Sequence, residues 1–327
     1  MIKTDLWKEK MTYQNYLELR LKQQNETKSL RSVLIIDGHD ERAIQAAQQL
    51  KAKNLVRPIL LVDELYENLE IDQYLVDEEE KQTFIQQFLK IRKNKETLES
   101  AVAQFDSNAF YGTMLLRNKK VDAVIGGLNY PTAEILRAAF KIIGPKPDIK
   151  TISSVMIMHR GDEKYLFSDI SVNILPNETQ LADIAKNALD FAIQLGFDPK
   201  PAFLSFSTKG SAKSPQSDAV SRAVKMFNAT SPIEAYGEIQ LDAALDYKVR
   251  RQKYGENVAT NANVLIFPNL DAGNIGYKIA QRLGGFGAIG PIITGIAAPI
   301  NDLSRGATVE DVFYTALISA LQVEKDK

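Results

Sequence analysis

The chain contains no cysteine. That excludes disulfides, thiolate metal sites and a cysteine nucleophile, and it fits a reducing compartment. There are only two histidines, His39 and His159. A multi-histidine metal site is therefore unavailable, and a histidine-dependent triad would have to use one of these two. Both read as loop or strand-end residues without a catalytic role, and no metal is expected. No run of about 18 apolar residues occurs, so no membrane span is expected. Residues 1–30 are rich in Lys, Glu and Gln and lack the apolar centre of a signal peptide. The expectation is a cytoplasmic protein. Neither sign of charge dominates: Lys plus Arg is 40 and Asp plus Glu is 41. Such a balance gives no basic field for nucleic acid, so any anion site must be local.

What is present is length and apolar content. With 327 residues, 45% of them hydrophobic, the chain is long enough for two domains at about 150 residues each. Short apolar runs at 33–36, 59–62, 121–125, 152–158, 203–206, 264–267 and 289–293 read as buried parallel strands. Helical spacing recurs between them, at 42–50, 178–195 and 217–227. Strands alternating with helices predict an α/β architecture with largely parallel sheets. A boundary is expected at 144–150, "GPKPDIK", and another near 290–299. The last helix starts after Thr308, with Val309, Val312, Phe313, Ala316, Leu317, Ala320 and Leu321 on one face. It is expected to pack back on the first domain. The first domain is then 1–148 plus 296–327, and the second, 149–295, is an insertion.

One segment carries the strongest chemical signal: "PINDLSRGATVED", 299–311. It is polar, glycine-containing and placed before a helix, and loops after strand ends are where α/β sheets bind ligands. Ser304 supplies a hydroxyl, Arg305 a fixed cation with a bidentate fork, and Gly306 lets the backbone turn. The set suits a phosphoryl or carboxyl oxygen. The same stretch also fits plain helix capping, because Thr308 and Asp311 form a T-x-x-D pattern. A second loop, "SFSTKGSAKS" at 205–214, could cradle phosphate with backbone N–H groups, although it lacks P-loop spacing. "GGFGAIGP" at 284–291 precedes a strand, so its glycines read as close packing and not as a dinucleotide fingerprint. Arg92, with Lys93 and Lys95, and Arg137 are further cations whose bland reading is a solvated surface.

Together these segments resemble the phosphate acetyltransferase family, the phosphotransacetylases, over nearly the whole chain. The resemblance is carried by "IGPIITGIAAPINDLSRGATVED" at 289–311, "FPNLDAGNIGYKIAQR" at 267–282, "GEIQLDAA" at 237–244, "SFSTKGSAKS", "IRKNKE" from Ile91 and "FYGTML" from Phe110. Gly38, Asp40 and Arg42 match the family pattern, whereas the chain reads Ile36-Asp37-Gly38 where Pro-Glu-Gly is usual. Glu96 replaces a usual glycine, Ala138 a proline and Asn269 an aspartate. The resemblance implies two α/β domains of isocitrate/isopropylmalate dehydrogenase-like architecture, with the active site in the cleft between them, and a homodimer. It implies reversible conversion of acetyl-CoA and phosphate to acetyl phosphate and CoA, with CoA as a substrate and no bound cofactor. It casts Asp311 as the base for the thiol, Arg305 as the group holding the phosphoryl, and Ser304 as a hydrogen-bond donor. Arg92, Arg137 and Thr132 would bind CoA or acetyl phosphate. A phosphate butyryl- or propionyltransferase, an acetyl-CoA-sensing domain and a nicotinamide-dependent dehydrogenase are the competing readings. With no cysteine and no evident histidine for an acyl-enzyme, direct transfer in a ternary complex is favoured over a two-step route.

Overall fold

The computed structural model describes residues 12–26, 29–93, 95–254 and 261–323. The stretch 1–11, on which most of the leader-peptide argument rests, lies outside the described residues, as does Asn94 of "IRKNKE". The chain divides into two compact units. One comprises 14–145 and the C-terminal stretch from Ile296, and the other 146–295 together with Tyr13. The Tyr13 ring lies 6.1 Å from both Phe197 and His159, so this residue belongs with the second unit and not with the first as the sequence suggested.

In chain order the strands are β1 (Ser32–Ile35), β2 (Arg57–Val62), β3 (Asp72–Leu75), β4 (Ala123–Gly126), β5 (Ser153–Arg160), β6 (Glu163–Ser168), β7 (Pro201–Leu204), β8 (Tyr236–Ile239), β9 (Val264–Ile266), β10 (Gly287–Thr294) and β11 (Ile300–Asp302). The first unit holds a five-stranded sheet, ordered β11-β4-β1-β2-β3, in which every pairing is parallel. All of β1 and β4 is buried, because helices cover both faces of such a sheet. The chain moves outward from β1 through β2 to β3, then returns to the other side of β1 for β4 and β11. The direction of winding therefore reverses between β1 and β4, the place where open α/β sheets bind ligands beyond the strand ends. In register, Ile35 faces Ile125 and Asp302 faces Gly126. The last helix, Val309–Gln322, buries Val312, Phe313, Ala316, Leu317, Ala320 and Leu321 against this sheet and the Glu41–Ala52 helix.

The second unit is mixed: six strands in the order β10-β5-β6-β9-β7-β8. The pairings from β6 to β8 are parallel, but β5 pairs antiparallel with both β6 and β10. The runs 152–158 and 289–293 are therefore strands as expected, but not parallel ones. β5 looks like a parallel strand in sequence because six of its eight residues are buried, with the Glu178–Gln194 and Leu270–Arg282 helices packed on it. The true signal was a turn. Gly161, at φ 61°, opens a two-residue loop between the paired Arg160 and Glu163, and glycine there suits a hairpin.

Candidate active site

Strands β1, β4 and β11 end side by side, and the loops beyond them hold the polar residues of the site. After β1, Asp40 caps the Glu41–Ala52 helix by accepting the Arg42 amide at 2.9 Å. The Arg42 side chain folds back on the same carboxylate, Nε to Oδ1 at 2.9 Å and Nη2 to Oδ2 at 2.7 Å. Its Nη1 donates to two carbonyls of the loop after β11, Arg305 O at 2.9 Å and Ala307 O at 2.8 Å. Bidentate, charge-assisted contacts of this kind are both strong and geometrically specific. They hold the Asp40 carboxyl below the usual carboxylate range, the hydrogen bond from Arg42 being the largest cause.

The clamped loop begins at the buried Leu303, whose amide donates to Gly126 O at 2.7 Å. Ser304, Arg305 and Gly306 are exposed. The Ser304 carbonyl accepts from Ala307 N at 2.8 Å and its Oγ from Gly306 N at 3.2 Å. The Arg305 guanidinium makes no hydrogen bond or ion pair with the described residues, while its carbonyl is fixed by Arg42. Backbone and side chain are thus treated oppositely: the peptide is held and the cation is left free. Asp311 and Thr308 close a capping box. Thr308 donates its amide at 2.8 Å and its hydroxyl at 2.9 Å to Asp311 Oδ2, and Thr308 Oγ1 accepts the Asp311 amide at 3.2 Å. Beside the loop, Asp37, His39, Asp40, Arg42, Asn129 and Tyr130 line a cavity of about 700 Å³.

A family model described as phosphate acetyl/butaryl transferase matches residues 17–320. The chain belongs to that family. It is 40% identical over 307 residues to a phosphate acetyltransferase of Staphylococcus aureus (strain Mu50 / ATCC 700699), covering 89% of this chain and 94% of the relative. The fold matches the EutD phosphotransacetylase from the same species with a TM-score of 0.84 and 37% identity, over 96% of this chain and 100% of that one. A 4-hydroxythreonine-4-phosphate dehydrogenase from Klebsiella pneumoniae shares the fold alone, at TM-score 0.52 and 12% identity over 90% and 98% of the two chains. The dehydrogenase-like architecture implied by the sequence is therefore present in an acyltransferase family.

The remaining expected residues are placed as follows. Thr132 is exposed, and its hydroxyl donates to Asp302 Oδ2 at 2.7 Å. Arg92 lies 3.9 Å from Glu96, which also pairs with Lys141 and accepts from Ser100 and Gln104. Lys141 is the main reason the Glu96 carboxyl falls to about 2. Arg137 is exposed on the Thr132–Ala138 helix and pairs with none of the described residues. Ser304, Arg305, Asp311, Thr132 and Arg137 thus lie on the loops and helices that follow β4 and β11. Arg92 sits at the C-terminal end of its own helix in an ion-pair cluster.

The loop 205–214 differs from the phosphate cradle considered for it. Glu238, buried, accepts from Ser207 Oγ at 3.0 Å and from Gly210 N at 2.6 Å. Lys209 Nζ donates to Tyr254 O at 2.7 Å and lies 4.4 Å over that ring. Two of the loop's donors are taken by the protein's own carboxylate, and most of its other amides bond to backbone carbonyls or serine hydroxyls. In the segment 284–291 close packing holds for Gly287, where a Cβ would come within 2.4 Å of the His159 ring, but not for Gly285, which has open space around it and a φ of 69°.

Sequence reasoning noted Asp37 and Asp40 without giving them a role in the site, and missed Asp302. Asp37 accepts the amides of Gly127 and Asn129, both at 2.9 Å, and burial nonetheless pushes its carboxyl up. Asp302 is pushed up to about 7, first by burial and then by Asp37. Tyr130 is pushed up to about 12, mainly by burial. The available signal was position: Asp37, Asp40 and Arg42 directly follow an apolar run, and Asp302 lies two residues before Ser304.

Proposed function

We propose that this protein transfers an acetyl group reversibly between coenzyme A and inorganic phosphate by direct attack of the CoA thiolate on acetyl phosphate in a ternary complex. The observation that carries this reading is the clamped loop, which offers the unpaired Arg305 guanidinium and the Ser304 hydroxyl at the winding reversal of the parallel sheet. Arg305 holds the phosphoryl group, and Ser304 donates to the developing oxyanion or the leaving phosphate. Asp311 takes the thiol proton. Its Oδ2 is occupied by Thr308, which leaves Oδ1 for that proton. A thiol is a much weaker acid than a carboxylic acid, so complete proton transfer to a carboxylate is strongly uphill. Transfer concerted with attack, with Arg305 stabilising the forming thiolate, avoids the free thiolate. Arg92, Arg137 and Thr132 bind the anionic parts of CoA or acetyl phosphate.

No step in this reading passes through a metal or bound cofactor. Among the described residues no helix is long and apolar enough to cross a membrane. A homodimer in the cytoplasm is part of the proposal. The same residues would serve a butyryl substrate, and the family description spans both acyl groups. The deciding experiment follows thioester absorbance with CoA and acetyl phosphate, repeated with butyryl phosphate. Formation of acetyl-CoA at enzymic rate is expected. A preference for butyryl phosphate would move the assignment within the family, and inactivity with both would overturn it.

A further inference from the structure

Among the described buried acids that the mechanism leaves unused, Asp302 is the one with an oxygen that has no hydrogen-bond partner. Asp302, the last residue of β11, is 3% exposed. Its Oδ2 meets the Thr132 hydroxyl at 2.7 Å, and its Oδ1 is buried with no hydrogen-bond partner. There is no room for a side chain beside that oxygen: a Cβ on Gly127, at φ 123°, would approach it to 2.6 Å. Across Gly126–Gly127 stands Asp37, whose two oxygens each receive a backbone amide. The two carboxyls are therefore unequal. Asp37 has the donors that a carboxylate needs, whereas Asp302 has one hydroxyl and an orphaned acceptor, a costly state for a buried anion. Its carboxyl is correspondingly raised, by burial first and by Asp37 second.

The groups around Asp302 do not supply a counter-charge. From the loop after β1 come Asp37, Asp40 and Arg42, the last two paired with each other. From the loop after β4 come Tyr130, itself pushed up to about 12, and Glu134, which receives the Ser107 hydroxyl. Its own loop carries Arg305, exposed to solvent.

A threonine hydroxyl has one hydrogen and two lone pairs. If Asp302 is ionised, Thr132 must donate inward and can only accept from outside. If Asp302 carries a proton, the acid can donate to Thr132 Oγ1, and the threonine hydrogen is free to point outward. We infer that Asp302 is a positioning residue whose proton turns the Thr132 hydroxyl into a donor for an anionic phosphoryl oxygen of the substrate. This rests on the placement of Thr132 in the substrate site under the proposed function.

The test is the pH dependence of KM for acetyl phosphate in wild type, Asp302→Asn, Thr132→Val and Thr132→Ser, between about pH 6 and about pH 9. In wild type KM should climb above about pH 7, approaching tenfold per unit. Asparagine can donate to Thr132 as the acid does, so Asp302→Asn should hold the low-pH KM throughout. Thr132→Val should show a raised, pH-flat KM, and Thr132→Ser should restore the limb. A limb of equal size in wild type and Asp302→Asn would belong to substrate ionisation and would overturn the inference. So would a flat wild-type profile. Thr132 is exposed, so its variants remain informative if Asp302→Asn folds poorly. An activity-independent arm separates this from failure of the functional reading. The infrared difference spectrum of wild type minus Asp302→Asn should contain a protonated carboxyl band that vanishes above about pH 7 and shifts in Thr132→Val. Its absence at every pH would overturn the inference whether or not the protein turns over acetyl phosphate. Its presence in a protein that turns over no acyl phosphate would overturn only the function.

Discussion

Two loops in this protein have nearly the same composition and opposite fates. The loop after β11 and the loop 205–214 are both short, contain hydroxyls, and set a glycine directly after a cation: Arg305-Gly306 and Lys209-Gly210, the second loop carrying a further cation, Lys213. The first is held through its carbonyls by Arg42, and its own cation stays free. The second is held through two of its donors by Glu238, and the cation beside its glycine, Lys209, is tied to Tyr254. A loop anchored by an arginine keeps its donors for a ligand. A loop anchored by a carboxylate has given it two of them, Ser207 Oγ and Gly210 N. Composition alone does not separate the cases, because the anchor lies 28 residues away in one loop and 263 in the other.

The comparison breaks most sharply at Asp311. Asp311→Asn keeps shape and some capping but removes the proton acceptor. Turnover should fall by about 10²–10⁴-fold, with a small change in melting temperature. Near-parental turnover in a variant that binds CoA would reduce Asp311 to its capping box, worth roughly 1 kcal/mol.

Next come the two anchors. Arg42→Ala releases the carbonyls of Arg305 and Ala307 and removes the ion pair of Asp40, so turnover is expected to drop by about 10²-fold through misplacement of the loop. Glu238→Gln in the other unit should cost about 1–3 kcal/mol of stability by disturbing buried donors, with turnover within a few-fold of wild type. Equal activity losses in the two variants would mean that both loops serve the chemistry.

The buried acid gives a stability prediction with a definite sign. Asp302 is raised to about 7 in the folded protein, while the unfolded chain titrates in the ordinary range near 3.9. Between those values the folded state binds more protons, so stability falls as pH rises through the window. The cost above the window is on the order of 4 kcal/mol. Asp302→Asn should remove it, giving a melting temperature that depends less on pH and exceeds wild type above about pH 7. Parallel melting curves against pH for the two proteins would rule out a native-state proton on Asp302.

The smallest effect is at Arg92. Arg92→Ala should raise KM for CoA or acetyl phosphate more than it lowers turnover. Glu96→Gln weakens the competing ion pair and should lower the same KM by a few-fold, since partly exposed pairs contribute about 0–1 kcal/mol. Unchanged constants in both would place Arg92 on the surface network only.

The sequence by itself determined the α/β class, most of the buried strands and the last helix, because these depend on local apolar spacing and capping residues. Val33, Leu34 and Ile35 are apolar whatever they pair with, and Thr308 caps Asp311 from three residues away. It also carried the family, through the ordered segments around Ser304. Strand direction was not legible. β5 is buried on both faces among helices, and its apolar run looks the same in either orientation. β3, β6 and β8 carry polar or half-exposed residues and gave no run to find. Only the tertiary structure decided which cation is free and which carboxyl is isolated. Arg42 reaches Arg305 across 263 residues, and Asp302 meets Thr132 across 170. Contacts at such separation depend on which strands lie side by side, and hydrogen-bond supply and burial then set the charge of each group.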